Sequence, residues 1–122
     1  EHCVLLVFDE IQAGFGRTGS LWAFEQFDVI PDILLLGKAL GGGMPLGAFI
    51  ADKKLMSTLT YNPVLGHITT FGGHPVSCAA GKVAFEILLT GDMIAPAKNK
   101  ASILQETLKH PAIVSKNVHG LW

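Results

Sequence analysis

"LLVFDEIQAGFGRTG", residues 5–19, is an apolar run that ends on two carboxylates and then turns rich in glycine. Leu5, Leu6, Val7 and Phe8 follow one another without polar alternation, the pattern of a strand covered on both faces, as in a parallel α/β sheet. Residues 4–8 therefore read as a strand. Asp9 falls at its carboxyl end, where open α/β sheets place their ligands. Strand side chains alternate, so Glu10 is expected to point away from Asp9. Two chemistries use a carboxylate in this place: the acidic end of a phosphate-loop NTPase, and a group that serves a bound organic cofactor.

The surrounding pattern supports an α/β fold. "SLWAFEQF" (20–27) reads as a short helix, and Pro31 and Asp32 introduce a second apolar run, Ile33 to Leu36. "GKALGGGMPLG" follows, then "AFIA" (48–51) as a third strand. That link, about ten residues and glycine-rich, is too short and too poor a helix former for a parallel crossover. Strand three should run antiparallel to strand two, whereas strands one and two, joined through a helix, should be parallel. Asp52 can cap a helix reaching about Thr60. After the loop "YNPVLGHITTFGG", Pro75 opens a helix to about Leu89 that is apolar on most sides, so burial is expected. Beyond Gly91, Ile94, Ala97, Ala101, Leu104 and Leu108 mark one stripe of a further helix, with Pro96 in its first turn. This amphipathic segment reads as a connector between domains.

The 122 residues suffice for one modest domain, yet 49% are hydrophobic and only 16% charged, against about 25% charged in ordinary soluble domains. The chain reads as the interior of a larger protein, with both ends cut inside apolar stretches. A formal charge of −1 and a single arginine, Arg17, give no reason to expect nucleic acid or an anionic membrane surface. No apolar run approaches the roughly 20 residues of a membrane span, and no signal peptide opens the sequence. Cys3 and Cys78 fit neither a disulfide framework nor a zinc spacing, so reduced thiols and a cytoplasmic location are expected. His67, His74 and Cys78 span a loop and a helix without a fourth ligand, and no metal is assigned to them.

Lys38 follows the apolar run Leu34–Leu36 after one glycine, and precedes Ala39, Leu40 and three more glycines. Desolvation there would disfavour its ammonium form and make the amine nucleophilic toward carbonyls. If the first two strands are neighbours, about 4.8 Å apart, Asp9 and Lys38 share one sheet edge. Side-chain reach then widens their separation to that of a pyridine ring. A carboxylate on one side of such a ring and an amine on the other is what pyridoxal phosphate requires. Singly, each residue has a plainer reading: a solvated loop lysine and a turn carboxylate after a strand. Their spacing alone does not name the cofactor. The NTPase reading fails, because Lys38 is followed by alanine and no G-x-x-x-x-G-K-[ST] occurs.

"FDEIQAGFGRTG", "PDILLLGKALGGGMPLGA" and "HITTFGGHPVSCAA" resemble three successive signature segments of the class III aminotransferases. These are pyridoxal-phosphate enzymes of fold type I, and include the ornithine, acetylornithine and 4-aminobutyrate aminotransferases. The likeness covers roughly residues 4–90 in the right order, far more specific than any single motif. It implies that residues 1–91 are part of the cofactor-binding large domain, a mostly parallel sheet with one antiparallel strand and flanking helices. Residues 92–122 would be the connector helix and the start of the C-terminal small domain. Lys38 matches the family's Schiff-base lysine, which also moves a proton between substrate and cofactor. Asp9 matches the partner of the pyridinium nitrogen, and Gln12 the residue bonded to the cofactor's phenolic oxygen. Thr70 matches the threonine that reaches the cofactor phosphate of the neighbouring subunit, which implies a homodimer.

The implied activity moves an amino group, often a terminal one, from an amino-acid or amine donor to a 2-oxo acid such as 2-oxoglutarate. An aminomutase using the same cofactor, and an inactive piece with a structural role only, stay open. Three positions carry separate expectations. His74 stands where relatives usually have asparagine, as a residue that caps or packs. Ala13 replaces a common threonine, which leaves a local hydroxyl contact in doubt. Arg17 is expected in a structural ion pair, with Glu10 or another acid.

Overall fold

The computed structural model describes residues 4–64 and 66–122; Cys3 lies outside them. One sheet has the order β1–β2–β3, formed by Val7–Asp9, Ile33–Leu36 and Ala48–Ala51. β1 and β2 are parallel, with Phe8 opposite Leu34 and Asp9 opposite Leu35. β2 and β3 are antiparallel, with Leu34 opposite Ile50. The expected topology therefore holds, and the glycine-rich link between β2 and β3 contains only a 3-10 turn, Lys38–Gly41.

β1 starts later than the apolar run does. Asp32, at the head of β2, is the physical reason. Its Oδ2 accepts from the Leu6 N–H at 2.7 Å, and the Leu6 carbonyl accepts from Asp32 N at 2.9 Å and Ile33 N at 3.1 Å. These bonds end the ladder before Leu5. Cover on both faces is also not met within this chain: Val4 is 78% exposed and Leu5 52%. The helix expected over 20–27 is a 3-10 helix, Ala23–Phe27, entered from an extended Trp22 whose N–H is taken by the Glu25 carboxylate.

Two helix starts follow from their caps. Asp52 Oδ1 accepts from Leu55 N at 2.7 Å and opens α1, Lys53–Ser57, which runs on into a 3-10 turn to Thr60. α2, Pro75–Thr90, begins on Pro75, whose missing N–H is harmless in a first turn. α2 lies against the turn after β2, and two glycines permit that approach. A Cβ on Gly81 would collide with the Leu40 carbonyl oxygen, and one on Gly42, which sits at φ +58°, would meet the Ala80 oxygen at 2.7 Å.

The expected burial of α2 is not found. Only Ser77 and Gly81 are buried, while Val76, Val83, Ile87 and Leu89 are each more than half exposed. A helix that is apolar on most sides needs partners on most sides, and this chain covers chiefly the glycine side. α3, Pro96–Thr107, has its proline at the first turn and buries Ala97 to 1% exposure, but Leu104 and Leu108 stay nearly half exposed. The segment after α3 returns to the front of the molecule, where Leu121 N donates to the Arg17 carbonyl at 2.8 Å. No helix among the described residues is long and apolar enough to cross a membrane.

Candidate active site

The loop between β1 and the 3-10 helix is held from beneath by Glu10, which is 2% exposed. Its Oε2 accepts from Ala23 N at 3.0 Å and its Oε1 from Phe24 N at 2.9 Å. Its carbonyl accepts from Gly14 N at 3.0 Å, which curls the loop back over its own start. Phe15 then packs edge-on against Trp22 (4.9 Å between centroids) and Phe85 of α2 (6.0 Å). The expected alternation at the strand end holds: Glu10 is buried and Asp9 exposed. The expected ion pair of Arg17 does not form among the described residues. Both Glu10 oxygens are already taken by backbone N–H groups, and Arg17 is exposed. Sequence reasoning missed this anchoring role, because its donors stand thirteen and fourteen residues away and no local motif announces them.

Asp9 and Lys38 do lie at one sheet edge, the carboxyl end of the parallel pair. Asp9 faces Leu35 across the ladder, and Lys38 follows the end of β2 by one glycine. Asp9 Oδ1 accepts from Ile11 N at 3.0 Å, which fixes the carboxylate against the loop. Lys38 Nζ donates to Gln12 Oε1 at 2.9 Å, so the loop after β1 and the turn after β2 meet through these two side chains. Lys38 has φ +46°, a left-handed conformation that a non-glycine residue adopts against roughly 1–3 kcal/mol of strain and that clusters at functional sites. The expected desolvation of Lys38 is not found, since its side chain is exposed. Among the described residues, none buries it at the sheet edge. Gln12 and Lys38 border an open cavity of about 580 Å³ whose other walls include Phe15, Arg17, Met93 and Pro96; Asp9 lies outside it.

Thr70 stands apart. It sits exposed in the loop before α2, and no hydrogen bond among the described residues ties it to Asp9, Gln12 or Lys38. His74 is the N-cap of α2, with Nδ1 accepting from Val76 N at 3.3 Å, which is the capping role expected of it. Ala13 is buried at 7% exposure, inside the loop that Glu10 holds.

The three clustered residues suit pyridoxal phosphate by their donor chemistry. Asp9 offers an exposed carboxylate with one oxygen anchored and the other able to accept from a ring N–H. Gln12 presents an amide nitrogen, its oxygen being occupied by Lys38. Lys38 supplies an accessible amine. An acceptor, a neutral donor and a nucleophile stand at one sheet edge, the groups that this cofactor's ring nitrogen, phenolic oxygen and aldehyde would call on.

Comparison with known proteins identifies the family. The family model "Aminotransferase class-III" matches residues 1–120. The solved ornithine aminotransferase of Toxoplasma gondii, described with partial occupancy of pyridoxal phosphate at its active site, superposes with a TM-score of 0.84 at 37% identity. That match covers 97% of this chain and 29% of the other. N-acetylornithine aminotransferase from Stenotrophomonas maltophilia gives 0.69 at 41% identity, over 86% of this chain and 25% of that one. Taurine:2-oxoglutarate aminotransferase from Bifidobacterium kashiwanohense, in complex with pyridoxal phosphate and glutamate, gives 0.82 at 34% identity, over 96% and 27%. The chain spans less than a third of the length of each. With a match over nearly its whole length and an α/β sheet of the required topology, the chain belongs to the class III aminotransferases, the pyridoxal-phosphate-dependent transferases of fold type I.

Proposed function

We propose that the protein is a pyridoxal-phosphate-dependent aminotransferase that moves an amino group, from a donor carrying it at the end of its chain, to 2-oxoglutarate. The observation that carries this reading is the meeting of Lys38 and Gln12 at 2.9 Å on the sheet edge that also bears Asp9. When bound, the cofactor supplies an aldehyde that takes up amines and a ring that accepts electrons. The chain's own residues do the rest. Lys38 Nζ would hold the cofactor in the resting enzyme, then take the proton from the donor's amine-bearing carbon and pass it on to the cofactor, a task that suits a mobile amine. The Asp9 carboxylate accepts from the ring N–H and keeps it protonated. Gln12 orients both the cofactor's phenolic oxygen and the Lys38 amine.

The donor class rests on the relatives: ornithine, N-acetylornithine and taurine aminotransferases are among the proteins this chain resembles. The acceptor rests on the 2-oxoglutarate named for one of them. The same reading assigns residues 1–91 to the cofactor-binding domain and 92–122 to the connector and the start of a small domain. The change from the broadly apolar α2 to the striped α3 across Gly91 supports that division. It also takes the protein as a cytoplasmic homodimer; the isolation of Thr70 from the cluster among the described residues supports the second subunit.

The test uses the full-length protein loaded with pyridoxal phosphate. Glutamate formation from 2-oxoglutarate is followed with ornithine, N-acetylornithine and 4-aminobutyrate as donors. At least one should turn over at roughly 1 per second or faster, and Lys38→Ala should lower that rate by about 1,000-fold or more. Failure of all three donors, or ordinary turnover by the Lys38→Ala variant, would overturn the reading.

A further inference from the structure

The Asp-Glu pair at the end of β1 divides two tasks between neighbouring residues, and the second has no part in the chemistry described above. We infer that Glu10 is a positioning residue: through the loop it closes, it sets where Gln12 stands and therefore where the Lys38 amine points. The inference rests on the proposed roles of Gln12 and Lys38 but concerns a residue that touches neither.

The chain of contacts is short. Glu10 is in register with β1, its N–H donating to the Leu35 carbonyl at 3.0 Å, so its backbone is fixed by the sheet. Its side chain turns inward and is 2% exposed. A carboxylate so buried is stable only when its oxygens are satisfied, and here two backbone N–H groups, Ala23 and Phe24, do so at 3.0 and 2.9 Å. Both belong to the first positions of the 3-10 helix Ala23–Phe27, so the carboxylate ties the far end of the loop to the strand where the loop began. Gly14 N closes a further bond onto the Glu10 carbonyl at 3.0 Å. Gln12 lies between these tethers, two residues from each. Its side chain has no other hydrogen bond among the described residues than the one from Lys38. The position of Gln12 Oε1 is thus decided by the backbone around it, and that backbone by Glu10.

An amide in place of the carboxylate breaks the arrangement at constant size. Two N–H donors need two acceptor oxygens, and glutamine brings one oxygen and one NH₂ that faces a backbone N–H. Glu10→Gln is therefore the primary variant. Ala23→Pro is the second: it deletes one donor to Glu10 at a first helical position, where proline is tolerated, and leaves Glu10 itself intact.

The readout is the rate at which acetyl N-hydroxysuccinimide ester modifies Lys38 in the cofactor-free full-length protein, measured by peptide mass spectrometry with the surface residue Lys82 as internal reference. Gln12→Ala should raise the Lys38 rate several-fold by removing its acceptor. Glu10→Gln should raise it by a similar factor and Ala23→Pro by a smaller one, while Lys82 stays unchanged in all. The double variant Glu10→Gln/Gln12→Ala should be no faster than either single, because both act on one hydrogen bond. In the loaded enzyme, Glu10→Gln should lower kcat about tenfold with donor KM within threefold. Additive effects of the two substitutions, or an unchanged Lys38 rate in a folded Glu10→Gln or Ala23→Pro protein, would overturn the inference. If no donor is turned over at all, the labelling result still decides the role of Glu10, and only the proposed function falls.

Discussion

Two glycine-bearing loops carry residues expected at the cofactor, and they are built in opposite ways. The loop of residues 10–22 carries Gln12 and is closed by its own chain. Glu10 binds its far end, Gly16 N donates to the Leu21 carbonyl at 3.1 Å, and Gln26 Nε2 donates to Thr18 Oγ1 at 2.8 Å. Ala13, Gly14, Gly16 and Thr18 are buried in it. The loop of residues 61–73 carries Thr70, and every one of its described residues is exposed. Its bonds are local: Gly66 N to the Pro63 carbonyl, Gly72 N to the Thr69 carbonyl, and His67 Nδ1 with the Leu59 carbonyl. A loop with buried, charge-assisted closure places its side chain by itself. A loop with exposed, short-range bonds places its side chain only against a further surface, which suits a residue that serves a neighbouring subunit.

The largest effect that sharpens this comparison is expected at Asp9. Asp9→Asn keeps the size of the side chain and an oxygen for Ile11 N, so the first loop should stay closed. What it removes is the charge that, in the proposed role, would hold a ring proton. Transamination should fall by roughly 100- to 1,000-fold, the scale of a lost electrostatic contact in a preorganised site, while cofactor affinity changes less than tenfold. A variant that loses cofactor and activity together would show that Asp9 acts chiefly in binding, and that the first loop does not stand without its charge.

Thr70→Ala should have the smaller and more distributed effect expected of the second loop. Loss of one hydrogen bond to a charged phosphate removes about 1.5 kcal/mol, close to tenfold in cofactor affinity, with kcat nearly unchanged at saturating cofactor. In mixed dimers that pair a Thr70→Ala subunit with a Lys38→Ala subunit, the only site with an intact lysine receives Thr70 from its partner, so its cofactor affinity should be that of the unmodified protein. Weakening confined to the subunit that carries the substitution would place Thr70 beside its own Lys38 and abolish the contrast between the loops.

Much of this was legible in the sequence, for definable reasons. β2 and β3 were readable to the residue, because their apolar runs are bounded by Asp32, Gly37, Gly47 and Asp52. The antiparallel return was readable because a short glycine-rich link forbids a crossover. Asp52 and Pro75 announced their helices by local chemistry that needs no partner. The start of β1 was not legible, since it depends on Asp32, twenty-six residues from Leu6. The role of Glu10 was hidden for the same reason. Burial was the other failure. Lys38 and α2 were expected to be covered, and both are exposed in a chain that spans less than a third of its relatives' length. Propensity and capping are properties of a segment, whereas burial is a property of everything packed around it.

The smallest effect is expected where the two kinds of loop meet a helix. The second loop has its fixed point at its carboxyl end, where His74 caps α2 by accepting from Val76 N at 3.3 Å. An N-cap acceptor contributes about 1 kcal/mol, and removing it frays the first turn before it touches the rest of a helix. The sixteen residues of α2 are otherwise held by Gly81 against the turn that bears Lys38, so the far end should be insensitive. His74→Ala is therefore expected to speed hydrogen exchange at the Val76 amide roughly fivefold, the population change that 1 kcal/mol brings, with amides beyond Gly81 unaffected. His74→Asn should restore protection, because an asparagine side chain provides an acceptor in the same place. Exchange that rises along the whole helix in the alanine variant would mean that the cap carries α2 as a unit. The exposed loop would then be coupled to the Lys38 turn after all, through the glycine contact at the helix's middle.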